Sequence, residues 1–314
     1  MRPFSLLVKP VGSACNLACP YCFYRGHGSS ARMDEGLLDR LLASYRALPI
    51  ATHAVAFQGG EPLLAGEAFF RRAAARGAGV SFSVQTNATL VTEALADFFA
   101  REDWLVGVSP HWDARGCGAS ASLGREGYRR LRAAGVRTNI LQLVTAENVG
   151  EPERLYRHLR DDLGATYHQY IECTSPSAFA VTGAAWGEFL CRLFDVWRGD
   201  GDVRRVSVRL FDSIVAQLRF GVPTVCNFAR DCRNYLVVDA NGDVYPCDFH
   251  VLPGHRLGNV LAQSWEELVA SPAYRAFGER KLAFPDCPRN RGALDEGWRK
   301  FFAHATSYFR ELVV

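Results

Sequence analysis

Long apolar runs are missing from this chain. No stretch approaches the roughly 20 residues that span a bilayer, and the run 4–8, ending in Lys9-Pro10, is too short for a signal-peptide core. Internal repeats, low-complexity tracts and lysine/arginine runs of useful length are likewise absent. The formal net charge of +3 is too small to imply a nucleic-acid partner. These absences lead us to expect a cytoplasmic protein with neither membrane nor nucleic acid as a partner. The 48% hydrophobic and 22% charged residues are ordinary for a soluble globular chain. At 314 residues there is room for one large core, or one such core plus a small appended domain.

Cysteine, by contrast, is plentiful. Ten cysteines without a secretory signal argue for a reducing compartment and metal ligation rather than disulfides. Cys15, Cys19 and Cys22 form a Cys-x3-Cys-x2-Cys triplet directly after the first apolar run. Three thiolates at that spacing can ligate three irons of a 4Fe–4S cubane and leave the fourth iron open. An open position is a place for chemistry. Zinc is the plainer alternative, but it prefers four ligands, commonly in paired units, and His27 is the only further ligand type nearby. An exposed cluster is oxygen-sensitive, so an anaerobic or micro-oxic setting is expected.

A second group, Cys226-x5-Cys232-x14-Cys247 followed by Asp248, is open to three readings: an iron–sulfur cluster, zinc, or buried thiols. Cys117, Cys173 and Cys191 have no comparable spacing.

The first two-thirds alternates strand-like and helix-like segments. Strands are expected at 6–9, 54–58, 81–85, 105–109, 138–144 and 168–172, and helices at 34–47, 66–76, 92–101, 125–134, 151–163 and 184–197. Asp34 and Thr92 are the expected N-caps, and Gly77 and Gly135 the expected stops. Six βα units in series imply an α/β fold with a parallel sheet and right-handed crossovers. Near residue 222 the composition shifts toward cysteine, glycine and proline, so the expected domains are 1–222 and 223–314. In the second, 241–249 reads as a hairpin with an Asn-Gly turn, and 264–277 as a helix.

Ligands in parallel α/β folds bind at the carboxyl ends of strands. Gln58-Gly59-Gly60-Glu61-Pro62 follows the second expected strand, Gln85-Thr86-Asn87-Ala88-Thr89 ends the third, and Ser109 ends the fourth. Glycines let backbone approach a ligand closely, and exposed amides with Glu61 can receive an ammonium group.

The run Cys15 to Tyr24, with these two segments, resembles the radical S-adenosylmethionine (radical SAM) enzymes. The resemblance implies a partial, open (β/α)6 TIM-like barrel with the cluster loop after the first strand. It implies a 4Fe–4S cluster on Cys15, Cys19 and Cys22, and S-adenosylmethionine on its open iron. Gly59, Gly60 and Glu61 match the family's GGEP motif. Gln85 and Asn87 match its QTNGT segment, with Ala88 a small change from glycine. Ser109 matches a ribose contact, Tyr21 the aromatic residue near adenine, and Arg115 is a candidate for the cofactor carboxylate. Tyr24 is a candidate for the substrate cavity.

The block from Cys226 to Phe249 resembles the SPASM extension of peptide-modifying radical SAM enzymes, and Leu7 to Pro10, Ala56 to Pro62 and Phe211-Asp212 point to the anaerobic sulfatase-maturating enzymes. That family implies oxidation of a serine or cysteine side chain in a sulfatase-type peptide to Cα-formylglycine, with Asp248 as the base and flavodoxin or ferredoxin as electron donor. The pattern breaks after Cys287. Several further cysteines are absent, so the family's second auxiliary cluster cannot form in the same way. A first auxiliary cluster retains Cys226, Cys232 and Cys247, with Cys287, Asp286, a substrate group or nothing as the fourth ligand. Another peptide modification (dehydrogenation, thioether formation or epimerisation), or a non-catalytic peptide- or metal-binding paralogue, are the alternatives.

Overall fold

The computed structural model describes residues 2–110, 118–174, 178–229, 231–279 and 291–313. Arg115, Cys117, Asp286 and Cys287 lie outside the described residues. The chain forms two compact units, Met1–Thr138 with Asp231–Arg280, and Asn139–Arg230 with Lys281–Val314.

In the first unit β1 (Ser5–Val8), α1 (Glu35–Arg46), β2 (His53–Phe57), α2 (Glu67–Arg76), β3 (Val80–Thr86), α3 (Glu93–Arg101), β4 (Leu105–Val108) and α4 (Gly118–Ala133) alternate. Asp34 and Thr92 cap α1 and α3 by accepting the amides of Leu37 and Leu95. Strands β1 to β4 pair in parallel, in chain order. Their register puts Leu6, Val8, Val55, Phe57, Phe82, Val84 and Val106 on one face, all buried. Beneath it Trp104 stacks on Phe82 at 4.7 Å and on Phe57 at 5.8 Å, and Phe70 meets Phe57 edge-on at 5.6 Å. The other face carries Leu7, Ala54, Ala56, Ser81, Ser83, Gln85 and Gly107. Strands buried between two apolar layers read as continuous apolar runs; β3 instead alternates, and this small, polar face is what remains for a site.

The second unit holds β5 (Arg137–Val144), α5 (Pro152–Arg157), β6 (Tyr167–Glu172), α6 (Gly183–Gly199), β7 (Ser207–Val208) and α7 (Arg209–Phe220), with β5, β6 and β7 parallel. The expected helix 151–163 is found over 152–162 but changes its winding part-way. After Arg157 the turn widens over His158–Asp162, where Arg160 reaches Asp200 at 2.7 Å and the buried Asp202 at 2.5 Å.

The chain then returns to the first unit. β8 (Tyr235–Val238) pairs parallel to β1, with Ser5 opposite Tyr235 and Val8 opposite Val238, and β9 (Asp243–Tyr245) pairs antiparallel to β8. The hairpin turn differs from the expected Asn-Gly pair of positive φ angles. Only Gly242 of the two adopts one, at +84°, and the Gly242 amide donates to the Asp239 carbonyl at 2.9 Å, a glycine-bulge loop. β10 (Gly258–Asn259) joins β9. The expected helix 264–277 is two helices, α8 (Trp265–Ala270) and α9 (Pro272–Glu279), because Pro272 has no amide to continue the ladder. α10 (Arg291–Glu311) lies on α6 in the second unit, where a Cβ on Gly187 would come within 2.5 Å of Gly297. Among the described residues no helix is long and apolar enough to cross a membrane.

Candidate cofactor and catalytic site

The loop that follows β1 is tied down at both ends. The amides of Gly12 and Ala14 donate to the carbonyls of Lys9 and Val11, and those of Ser13 and Met33 to Ser29 and Pro10. Between these anchors Cys15 and Cys22 are exposed and Cys19 is half-buried. Leu17 donates its amide to Cys15 Sγ at 3.4 Å, and the Cys22 amide closes a turn on the Cys19 carbonyl at 3.2 Å. Three soft thiol donors on one anchored, solvent-facing loop fit an iron–sulfur cluster. Among the described residues no three His, Cys, Asp or Glu side chains gather as a single-ion site.

Gly59 and Gly60 serve this loop through close approach. The Gly60 amide donates to Gly12 O at 2.9 Å and the Glu61 amide to Ala14 O at 2.8 Å. A Cβ on Gly60 would lie 1.9 Å from Ala14 O, and Gly59 sits at φ +137° with Gly12 O 2.8 Å from its missing Cβ. The N–H groups of Gly60 and Glu61 therefore hold the cysteine loop.

Glu61 is buried rather than open to a ligand. Its Oε1 accepts the Leu63 amide at 3.0 Å and the Thr86 hydroxyl at 2.8 Å, and its Oε2 accepts the Asn87 amide at 2.9 Å. Burial pushes its pKa up to about 7, against the pull of those donors. Asn87 in turn donates to Asn16 Oδ1 at 3.0 Å, and its own Oδ1 takes the Thr89 hydroxyl at 2.7 Å. Asn16 closes the ring by donating to Thr89 Oγ1 at 2.8 Å. The two motif segments thus lock to each other and to the residue after Cys15. Gln85 is exposed on the polar face of β3, Ser109 and Tyr21 are half-buried, and the Ser109 amide donates to Thr86 O at 3.0 Å.

Ala88 is less innocent than its size suggests. It is buried at φ +62°, a left-handed conformation that costs an L-residue about 1–2 kcal/mol.

The hairpin brings in the remaining groups. Asp248 and Cys247 are half-buried, and the Tyr235 hydroxyl lies 3.0 Å from Asp248 Oδ1 and 3.2 Å from Cys247 Sγ. Phe23, next to Cys22, packs on Phe249, next to Asp248, with ring centroids 4.5 Å apart. Tyr24 is not solvent-facing but sits in an apolar cluster with Val237, Tyr245 and Val251.

Lys9 and Asp239 are site residues that the sequence reading passed over. Lys9 is 2% exposed, with Nζ 3.9 Å from the Tyr24 ring centroid. Burial lowers its pKa, while Asp248, Asp239, Cys247 and Cys22 favour its charged form. Asp239 accepts the Ser29 amide at 2.6 Å and the Ala240 amide at 2.8 Å, and burial raises its pKa. A lysine ending an apolar strand and an aspartate ending another were the available signals.

Cys232 and Cys247 belong to the first unit and Cys226 to the second. Cys226 precedes Asn227, which donates to Glu172 Oε1 at 3.0 Å. Cys191 and Cys173 are buried, in line with core packing.

Residues 10–113 match the Radical SAM superfamily and residues 226–289 an iron-sulfur cluster-binding domain. The chain is 32% identical to a cysteine-type anaerobic sulfatase-maturating enzyme of Clostridium perfringens, over 85% of this chain and 80% of that protein. It is 28% identical to the serine-type enzyme of Bacteroides thetaiotaomicron, over 98% and 90%. Its fold matches native anSMEcpe with bound AdoMet at a TM-score of 0.90 and 26% identity, covering 99% of both chains. The match to the same protein with AdoMet and a peptide has a TM-score of 0.91 and 27% identity. The motif loops, the cysteine triplet and this likeness converge, and the chain belongs to the anaerobic sulfatase-maturating enzyme family of radical SAM enzymes.

Proposed function

We propose that the protein oxidises a serine or cysteine side chain of a sulfatase-type peptide to Cα-formylglycine, with Asp248 as the proton acceptor. The single observation behind this reading is the contact between Phe23 and Phe249 at 4.5 Å. It sets the residue after Cys22 against the residue after Asp248, so the cysteine loop and the carboxylate-bearing turn lie side by side. When bound, a 4Fe–4S cluster held by Cys15, Cys19 and Cys22 together with S-adenosylmethionine would supply hydrogen-atom abstraction at the substrate Cβ and one-electron redox capacity. Asp248 removes the hydroxyl or thiol proton, a role in which reach matters before pKa. Lys9 stabilises negative charge beside it. Gln85 at the end of β3, Ser109 after β4 and Tyr21 in the cysteine loop are the residues we assign to cofactor contact.

Residues 1–222 hold the cofactor, and 223–314 form the shortened SPASM-like extension. Cys226, Cys232, Cys247 and Cys287 are kept as candidate auxiliary-cluster ligands. The electron donor is a flavodoxin or ferredoxin of the cytoplasm, and Arg115 is kept for the cofactor carboxylate.

Anaerobic reconstitution with iron and sulfide, then incubation with reductant, S-adenosylmethionine and serine or cysteine forms of a sulfatase peptide, tests the proposal. The expected result is 5′-deoxyadenosine together with an aldehyde-bearing peptide in mass spectrometry. Nucleoside formation with an unaltered or epimerised peptide would overturn it.

A further inference from the structure

Asp248 lies in a single three-residue turn, Asp248–His250, whose N-cap makes no side-chain bond. A carboxylate on so short a turn needs an external hold to keep one rotamer. Tyr235 has the placement to supply it. Its backbone is fixed in the β1–β8 ladder opposite Ser5, its carbonyl accepts the Tyr274 hydroxyl at 2.9 Å, and its ring packs against the cluster of Tyr24, Val237, Tyr245 and Val251. From that platform the phenol oxygen reaches both Asp248 Oδ1, at 3.0 Å, and Cys247 Sγ, at 3.2 Å. The sulfur and the carboxylate oxygen are 3.6 Å apart.

We propose that Tyr235 is a positioning residue, whose hydroxyl fixes the Asp248 carboxylate and ties it to the Cys247 sulfur. The phenol O–H donates to Asp248 Oδ1 and its oxygen meets Cys247 Sγ, so one hydroxyl on a fixed strand holds the carboxylate oxygen at a set angle. Reacting groups held to within a fraction of an ångström keep most of their rate advantage, and small displacements forfeit it. What Asp248 does in turnover rests on the proposed formylglycine chemistry. The contact itself does not.

Tyr235→Phe removes the hydroxyl and keeps the ring. In the reconstituted enzyme the expected result is a fall in kcat for aldehyde formation of about tenfold or more, with KM for the peptide unchanged. More 5′-deoxyadenosine should form per aldehyde, while iron content and circular dichroism match the parent. Because Tyr235 acts through Asp248, the Y235F/D248N double variant should be no slower than D248N alone. Unchanged kcat and coupling in Y235F, or full additivity in the double variant, would overturn the proposal. A second readout needs neither cofactor nor peptide. In the unreconstituted full chain, urea midpoints of the parent, Y235F, D248N and the double variant complete a cycle in which the double variant should fall by less than the sum of the two single losses. Strictly additive midpoints would remove the contact. If the parent enzyme yields no aldehyde, the formylglycine reading fails and the midpoint cycle decides Tyr235 alone.

Discussion

The carboxylate of Glu61 caps the backbone amide of Asn87 from the protein interior, where it is only 1% exposed. It joins two strand-end loops that also touch the residues flanking Cys15, so the cofactor scaffold is braced by one acidic side chain.

That brace carries a pH signature. A carboxyl whose pKa rises from 4.5 to about 7 on folding contributes stability that is complete below the unfolded value and declines as pH climbs through the folded one. Thermal melts of the parent should therefore lose stability between these two limits and level off above them. Glu61→Gln should flatten that segment of the profile. It should also lower stability by about 1–3 kcal/mol, because a Gln amide nitrogen cannot accept one of the three donors. A profile that keeps its slope in the variant would refute the assignment.

Gly60→Ala should fail at the cysteine loop rather than in the core. The added methyl would lie 1.9 Å from Ala14 O, so the segment before Cys15 must move. We expect a folded protein by circular dichroism that takes up little iron on reconstitution and lacks the brown charge-transfer absorption. Parental iron content would contradict the close-approach argument.

Ala88→Gly should stabilise the protein. The left-handed φ of +62° suits glycine, and relief of that strain outweighs the added freedom of the unfolded chain, leaving about 0.5–1 kcal/mol. Denaturant midpoints measure this directly, and a lower midpoint in the variant would show that the buried methyl matters more.

Asp248→Asn keeps the shape of the side chain and removes its basicity. Aldehyde formation should drop by about 10²–10⁴-fold, while 5′-deoxyadenosine still forms under strong reductant. Parental aldehyde yield in this variant would remove Asp248 from the proton-accepting role.

The βα backbone was readable because β-branched runs and caps are local signals. Strands β1 to β6 fall within a residue of the positions expected from periodicity, and Asp34 and Thr92 cap as anticipated. The cysteine triplet was equally readable, since its spacing is itself the chemistry. What the sequence concealed is non-local. Nothing near Tyr235 says that it lies opposite Ser5, and nothing near Glu61 says that its carboxylate turns inward to Asn87. The left-handed backbone at Ala88 was hidden because alanine marks no turn. Lys9 was hidden because a cation ending an apolar strand reads as a solvent boundary until burial is known.

The pairing of β8 with β1 also bears on biosynthesis. The Ser29 amide meets the Asp239 carboxylate 210 residues later, so the first strand gains its second neighbour only when most of the chain has left the ribosome. At about 5–20 residues per second of translation, the N-terminal thiols wait on the order of tens of seconds before that edge is sealed. Such distant closures are also slow to form. The frame that anchors the cysteine loop through Ser29 is therefore completed late in synthesis, after most of the chain has been made.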